Sequence, residues 1–205
     1  MIHPSTELRF VSPEIGYGVF AKEFIPKGTI VYVKDSLEIE VTPKKYAKLD
    51  AYGKSVVDKY SYRDERGYKI VSWDFAKYVN HSCNRNTIST GYGFEIALRD
   101  IQADEEITDE YAIFNLENNF QCGCGSKNCR KNVGASDFDV LFGKWDEEIK
   151  EAMKNYYDTD QALEQYIEEG LFLKLKNYLE TGKNYKSVYS LRLKKSGKNG
   201  VLQHV

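Results

Sequence analysis

Asn80-His81-Ser82-Cys83 sets an amide, an imidazole, a hydroxyl and a thiol in consecutive positions. An ordinary strand or helix would bury apolar side chains at some of them, so the run points to a site that holds a ligand or an ion. A second concentration, Cys122-Gly-Cys124-Gly-Ser-Lys-Asn-Cys129, carries three of the chain's four cysteines. In an extended segment residues two apart point the same way, and Gly123 and Gly125 let the backbone fold tightly enough for the sulfurs to converge. Three thiolates make a metal-binding set one ligand short of a closed tetrahedral zinc site. The fourth ligand is either water, with Cys83 a buried thiol, or Cys83 itself, about forty residues upstream.

The segments around these residues are mostly strand-like. From Phe10 to about Val41 the runs GVFA, GTIVYV and LEIEV are rich in β-branched and apolar residues, separated by turn signals at SPEIGYG and IPKG. GYKIVSW, EIALRDI and EEIT read as further strands, and residues 44–60 as a short helix broken near Gly53. Many short strands without regular βα alternation exclude a doubly wound sheet and indicate a mainly β fold with some α. Past Ala135 the pattern becomes helical. Trp145, Ile149, Ala152, Met153 and Tyr156 fall at helical spacing, a second segment with Leu163, Tyr166 and Ile167 ends at Gly170, and LFLKLKNYLETG closes on Gly182. Such an amphipathic appendage needs a covering surface: the rest of the chain, a second copy in a homodimer, or another protein.

At 205 residues the chain can bury a sizeable core. It is 41% hydrophobic with a net charge of −2, and no apolar run reaches the roughly 20 residues of a membrane span. The opening MIHPSTELRF lacks the apolar stretch of a secretory signal, so an intracellular protein with reduced cysteines is expected, not a disulfide framework. Local charge is uneven. Asp100, Asp104, Glu105, Glu106, Asp109, Glu110 and Glu117 follow one another without a Lys or Arg, a stretch suited either to drawing in basic peptides or to a solvated face. Lys183, Lys186, Arg192, Lys194, Lys195 and Lys198 make the end basic, which suits either contact with nucleic acid or, the preferred reading, a solvated end.

GYGVFAKEFIPKGTIV, KYVNHSC, EEITDEY and CGCGSKNC, in that order, resemble the SET-domain protein lysine methyltransferases with a post-SET zinc loop, over about Phe10 to Val133. The resemblance implies a fold of short curved strands in which the NHSC segment is threaded through a loop. It implies a SET domain over residues 8–113, a post-SET zinc loop over 114–134 and a C-terminal helical extension over 135–205. S-adenosylmethionine is the implied cofactor, held by Gly16, Tyr17, Gly18, Lys77, Tyr78, Asn80, His81 and Tyr111, with Tyr111 the catalytic tyrosine. Cys83, Cys122, Cys124 and Cys129 match the structural zinc set. The implied partner is a protein bearing a target lysine, with histones and other basic DNA-associated proteins the candidates.

The chain departs from the family's pattern at several positions. Lys77 and Tyr78 stand where Arg and Phe are usual, Arg85 and Asn86 replace Pro-Asn, and VYVKDSLEIE lacks the usual Tyr-x-Gly-Glu. Asp109 takes the place of an aromatic residue that influences how many methyl groups are added. These departures motivate an alternative in which a SET pseudo-enzyme serves as a protein-binding module. A zinc hydrolase is excluded if four thiolates close the metal site, since no position is left for water.

Overall fold

The computed structural model describes residues 1–194. The expected frayed end, SGKNGVLQHV, and the cations Lys195 and Lys198 lie outside the described residues. Twelve short strands are found among the described residues: β1 (Thr6–Ser12), β2 (Gly16–Ala21), β3 (Ile30–Val33), β4 (Ile39–Val41), β5 (Ser61–Arg63) and β6 (Lys69–Val71) come first. After them come β7 (Asn80–His81), β8 (Thr87–Ser89), β9 (Phe94–Ala97), β10 (Glu106–Asp109), β11 (Phe120–Gln121) and β12 (Asn132–Val133). They form four small sheets, ordered β1-β2-β10-β7, β3-β9-β8, β4-β6-β5 and β11-β12. The architecture is mixed β and α and agrees with the SET-like fold class read from the sequence.

Two pairings set up the site. β1 and β2 form a hairpin that brings Phe10 opposite Tyr17 and Ser12 opposite Gly16, and Gly16 leaves the turn at φ +85°, where a side chain would be strained. β10 then lies between β2, antiparallel, and β7, parallel, in the register Thr108–Asn80 and Asp109–His81. β7 is only two residues long, and no hydrophobic alternation marks it in the sequence. Asn86 fixes the segment that follows it. Its buried side-chain amide donates to the Glu106 carbonyl at 2.8 Å and accepts from the Thr108 N–H at 2.9 Å, completing the backbone bonding of β10.

The helices are α1 (Pro43–Ala47), α2 (Ala51–Tyr60), α3 (Ala135–Met153) and α4 (Glu169–Thr181). The break expected near Gly53 falls instead between Ala47 and Ala51, because the Asp50 carboxylate caps α2 by accepting from the Gly53 N–H at 2.7 Å and so draws the glycine into the first turn. The segment expected to end at Gly170 holds one 3-10 turn, Glu164–Tyr166. Gly170 opens α4, since the Glu168 carboxylate accepts from the N–H groups of Gly170 and Leu171 at 3.0 and 2.9 Å. The closure at Gly182 is found as expected, at φ +67° with its N–H on the Tyr178 carbonyl.

α3 covers the sheet β3-β9-β8. Phe138, Trp145, Ile149, Ala152 and Met153 are buried in one cluster with Ile30, Val33, Ile88, Phe94 and Ile96. The amphipathic face that needed a partner therefore has one in its own chain, and the hydrophobic core runs continuously through residue 135. The later loops are tied down by polar contacts. Buried Asp146 accepts from the Tyr185 hydroxyl at 2.9 Å, the Ser187 hydroxyl at 2.5 Å and the Val188 N–H at 2.9 Å. Gln161 accepts from the Ile30 N–H at 2.9 Å and donates to the Gly28 carbonyl at 2.9 Å. A second cluster, with Val19, Ala21, Val31, Ala97 and Ile107, joins the two larger sheets.

Candidate active site and metal centre

The pairing of β2, β10 and β7 fixes the first part of the site. Asn80 Nδ2 donates to the Tyr17 carbonyl at 3.1 Å and to Glu106 Oε1 at 2.8 Å, so one side chain binds all three strands. A Cβ at position 18 would stand 2.4 Å from Glu106 Oε1 and 3.1 Å from Asn80 Nδ2, so a side chain there would displace the Glu106 carboxylate from Asn80. Tyr17 is half exposed, and its ring meets Tyr78 edge to face at 5.8 Å. Tyr78 meets Tyr60 in the same way at 5.5 Å. Lys77 bends back to donate to the Asp74 carbonyl at 2.6 Å.

His81 links that part to Tyr111 and to the cysteines. Its Nδ1 stands 3.2 Å from the Tyr111 N–H and 3.0 Å from the Asp109 carbonyl, and its Nε2 lies 3.5 Å from Cys83 Sγ. Burial pushes its pKa below the ordinary value despite the attraction of Glu110, which keeps the ring neutral near pH 7. Nδ1 meets both groups, so its role follows the tautomer: it accepts from the Tyr111 N–H when the proton is on Nε2 and donates to the Asp109 carbonyl when it is on Nδ1. The Tyr111 side chain turns the other way, donating its hydroxyl to the Val79 carbonyl at 2.7 Å with its ring 6.1 Å from Phe120. Burial, reinforced by Asp109 and Glu95, raises the Tyr111 pKa well above the usual phenol value, so it is a hydrogen-bond donor and not a base.

Cys83, Cys122, Cys124 and Cys129 converge, with all four Sγ atoms within 4.8 Å of one another. Sulfurs about 2.3 Å from a tetrahedral zinc stand about 3.8 Å apart, and Cys83 and Cys122 are separated by 3.8 Å. Donors surround them: the Arg130 N–H on Cys83 and the Lys131 N–H on Cys129, each at 3.4 Å, and the Ser126 hydroxyl 3.3 Å from Cys124. Burial pushes the Cys122 thiol up to about 12. It acts on Cys124 as well, but hydrogen bonds from Ser126 outweigh it and hold that thiol down to about 5. Four thiolates this close repel one another unless a cation sits among them. The donor set fits a closed four-thiolate ion site, and it favours Cys83 over water as the fourth ligand.

The acidic stretch divides: Asp100, Asp104 and Glu117 are exposed, as a solvated face would be, while Asp109 and Glu110 are buried. Asp104 pairs with Arg9 and Glu105 with Arg99, at 2.6 and 2.5 Å, while Glu117 pairs with Arg63 and Lys69 at 2.8 and 3.3 Å. Asp109 and Glu110 are buried, each 1% exposed. Glu110 accepts both of its short bonds from Arg130 Nη2, at 2.6 and 2.8 Å, and lies 4.0 Å from Arg85. Arg130 and Arg85 in turn reach α3, through Asp137 at 2.9 Å and through Glu148. An ionic cluster thus joins the residue before Tyr111, the cysteine loop and the helical extension.

A cavity of about 470 Å³ runs along Tyr111 and Lys77 and is walled by Val79, Phe120, Tyr60, Asp109 and Glu95, among others. Tyr111 and Lys77 face this space. Gly16, Tyr17, Gly18, Tyr78, Asn80 and His81 do not line it but stand beside it, tied to it through Val79, Tyr60 and the backbone of Tyr111. Sequence reasoning missed Tyr60, Phe120, Glu95 and Arg130. Only Phe120 and Arg130 carry a sequence signal, through their nearness to Cys122 and Cys129.

A short β10 that leads from Glu106 toward Tyr111, paired with an Asn-His strand and set beside a four-cysteine cluster, defines a class. Residues 16–112 match the family described as SET domain. The chain is 36% identical over 132 residues to the variant-silencing SET domain-containing protein of Plasmodium falciparum, an alignment covering 56% of this chain and 5% of the relative. It is 27% identical over 131 residues to the histone-lysine N-methyltransferase trr of Drosophila melanogaster, covering 57% and 5%. It is 29% identical over 143 residues to the histone-lysine N-methyltransferase mes-4 of Caenorhabditis elegans, covering 58% and 16%. The chain therefore spans a small part of these relatives' length.

Proposed function

We propose that the protein is an S-adenosylmethionine-dependent protein lysine N-methyltransferase acting inside the cell on a basic protein such as a histone. The observation that carries this reading is Tyr111, near the end of the family match. Its hydroxyl is fixed by the Val79 carbonyl on the wall of a cavity wide enough for a side chain and part of a cofactor. The names of the relatives support a methyltransferase of lysine in proteins.

S-adenosylmethionine supplies a methyl group already activated as a sulfonium. The chain's own residues then have three tasks. The Gly16–Gly18 backbone, Lys77, Tyr78 and Asn80 hold and orient the cofactor, which glycine at 16 and 18 permits by keeping the main chain open. The Tyr111 hydroxyl directs the methyl and the incoming amine into line, and positioning of this kind supplies much of the acceleration in an in-line displacement. The burial around Tyr111, Phe114 and Phe120 excludes water and lowers the pKa of an entering ammonium from about 10.4. Cys83, Cys122, Cys124 and Cys129 would hold a structural zinc that fixes the loop ending β11-β12 against His81 and Tyr111.

The test is incubation of the full chain with isotope-labelled S-adenosylmethionine and histones or bacterial DNA-binding proteins, with the labelled residue identified by mass spectrometry. Label on a lysine side chain is expected. Absence of S-adenosylmethionine binding by calorimetry overturns the reading, and binding without transfer to any of these proteins favours the pseudo-enzyme.

A further inference from the structure

Of the four carboxyl groups that line the cavity beside Tyr111, Asp58 and Glu117 are paired with Lys69 and Arg63, and two are buried, Asp109 from β10 and Glu95 from β9. Asp109 is 1% exposed and Glu95 8%, and they face each other from different sheets. Asp109 Oδ1 accepts from the Glu110 N–H at 2.6 Å, and Glu95 Oε1 accepts from the Ser89 hydroxyl at 3.4 Å. Asp109 Oδ2 is fully buried and receives no N–H or hydroxyl from the described residues.

Burial and the neighbouring Asp109, with which it hydrogen-bonds, keep the proton on Glu95, so the pair's charge sits on Asp109. Arg85 is the cation acting on Asp109, and its guanidinium is engaged with Glu148 and Glu110. From β3 comes Tyr32, whose hydroxyl is given to Glu38 at 2.6 Å, and from β5 comes Tyr62. Glu110 and Tyr111 follow in the chain, and His81 faces the Asp109 backbone across β7. A buried acceptor pair of this kind is costly unless a donor-rich cation completes it. The group that matches is narrow, positively charged and carries several N–H bonds, as the end of a lysine side chain does.

We propose that Asp109, held in a hydrogen-bonded pair with Glu95, is the proton acceptor for the substrate amine: the pair receives the lysine ammonium by charge-assisted hydrogen bonds and Asp109 removes the proton that blocks its lone pair. The proposal rests on the lysine methyltransferase reading above. In the first step an N–H bond breaks, its electron pair stays on nitrogen, and the proton forms an O–H bond on the carboxylate. The nitrogen pair then forms the new N–C bond to the methyl carbon. The C–S bond breaks with its pair remaining on sulfur, so the sulfonium becomes a neutral thioether and the product is a methylammonium. The carboxyl proton leaves to solvent when the product departs. Burial raises Asp109 to about 7, which matches that carboxylate to proton exchange at neutral pH, while burial pushes Glu95 above the ordinary carboxyl range and keeps it a donor to Asp109. The neighbouring Tyr32, Tyr62 and Tyr111 are all raised by burial and hold their protons.

Two measurements on the full zinc-loaded chain test this, using Asp109→Asn and Glu95→Gln, near-isosteric changes whose folding is checked by circular dichroism. In the first, n-butylammonium is titrated by NMR at pH 8. Saturable binding by the wild type, at least tenfold weaker in Asp109→Asn, is expected. Equal binding by both, or none by the wild type, overturns the proposal. In the second, the pH–rate profile of methyl transfer is measured on the labelled substrate. Wild-type activity should rise through about pH 7, and the Asp109→Asn limb should move up by about one unit or more with cofactor affinity unchanged. An unmoved profile overturns the proposal while methyl transfer itself stands. A wild type that transfers no methyl group but binds n-butylammonium in an Asp109-dependent way refutes the enzyme reading and supports the ammonium site.

Discussion

Arg130→Ala tests whether the ionic cluster behind Tyr111 holds the site together. The Glu110 side chain is 2% exposed and accepts both short bonds from Arg130 Nη2, at 2.6 and 2.8 Å. Removing one partner of a buried pair costs about 3–5 kcal/mol because the other charge is left behind. Here the cost belongs at the lower end, about 3 kcal/mol, since Arg130 is itself 23% exposed and Arg85 remains 4.0 Å from Glu110. For a chain of this size that lowers the melting temperature by about 6–12 °C. The Arg130 backbone N–H still reaches Cys83 in the variant, so zinc content should not change. The assay is thermal unfolding of Arg130→Ala, Glu110→Gln and the double variant, with zinc measured in each. The double variant should be more stable than the sum of the two losses implies, by about 1 kcal/mol or more. An Arg130→Ala loss below about 1 kcal/mol, or strict additivity, would falsify the buried-pair argument.

Elemental analysis should find one zinc per chain, and Cys83→Ser should lower that content; normal zinc in the variant means the fourth ligand is not Cys83. Tyr111→Phe keeps the ring but leaves the Val79 carbonyl without its donor, costing about 1 kcal/mol of stability. It should lower turnover far more than S-adenosylmethionine affinity, and near-normal turnover would place the catalytic tyrosine elsewhere. Trp145→Ala, at a side chain 1% exposed in the core under β3-β9-β8, should destabilise by about 3–5 kcal/mol in denaturant titration. The Asp109 pKa is raised from its unfolded value near 3.9 to about 7, so the native state binds more protons than the unfolded chain between those values. Its stabilising contribution is full below about pH 4 and is lost as pH rises through about 7. Relative to Asp109→Asn, the wild type should therefore lose melting temperature between pH 4.5 and 7.5, and parallel curves would refute the shift.

What the sequence displayed of this site was its local part. The cysteine spacing and the Asn80–Cys83 run are short-range patterns, and the convergence of the four sulfurs and the pairing of β7 with β10 bring them together in the fold. Charge in sequence carries no information about burial, so the stretch from Asp100 to Glu117 looked like a surface. Its partners Arg9, Arg63 and Arg130 lie far away in the chain or beyond the stretch and were invisible in it. Glu95 was hidden for a related reason, because nothing in Phe-Glu-Ile-Ala distinguishes a carboxylate turned into a cavity from one turned to water. The helix limits moved by a few residues where Asp50 and Glu168, unremarkable as single letters, act as caps. β7 escaped because two residues are too few to show a period.

The core that unites Ile30 with Val188 also governs when the protein can exist during its own synthesis. A ribosome adding about 5–20 residues per second needs roughly ten to thirty seconds to pass from the first of these residues to the last. Until then β3 and β9 have no α3 to cover them, and Cys83 waits for three partners encoded later. The emerging N-terminal half is thus an apolar, thiol-bearing chain without a finished fold, and contacts this distant in sequence form slowly once all are present. Any ion held by the four cysteines can therefore be bound only after Cys129 has been made.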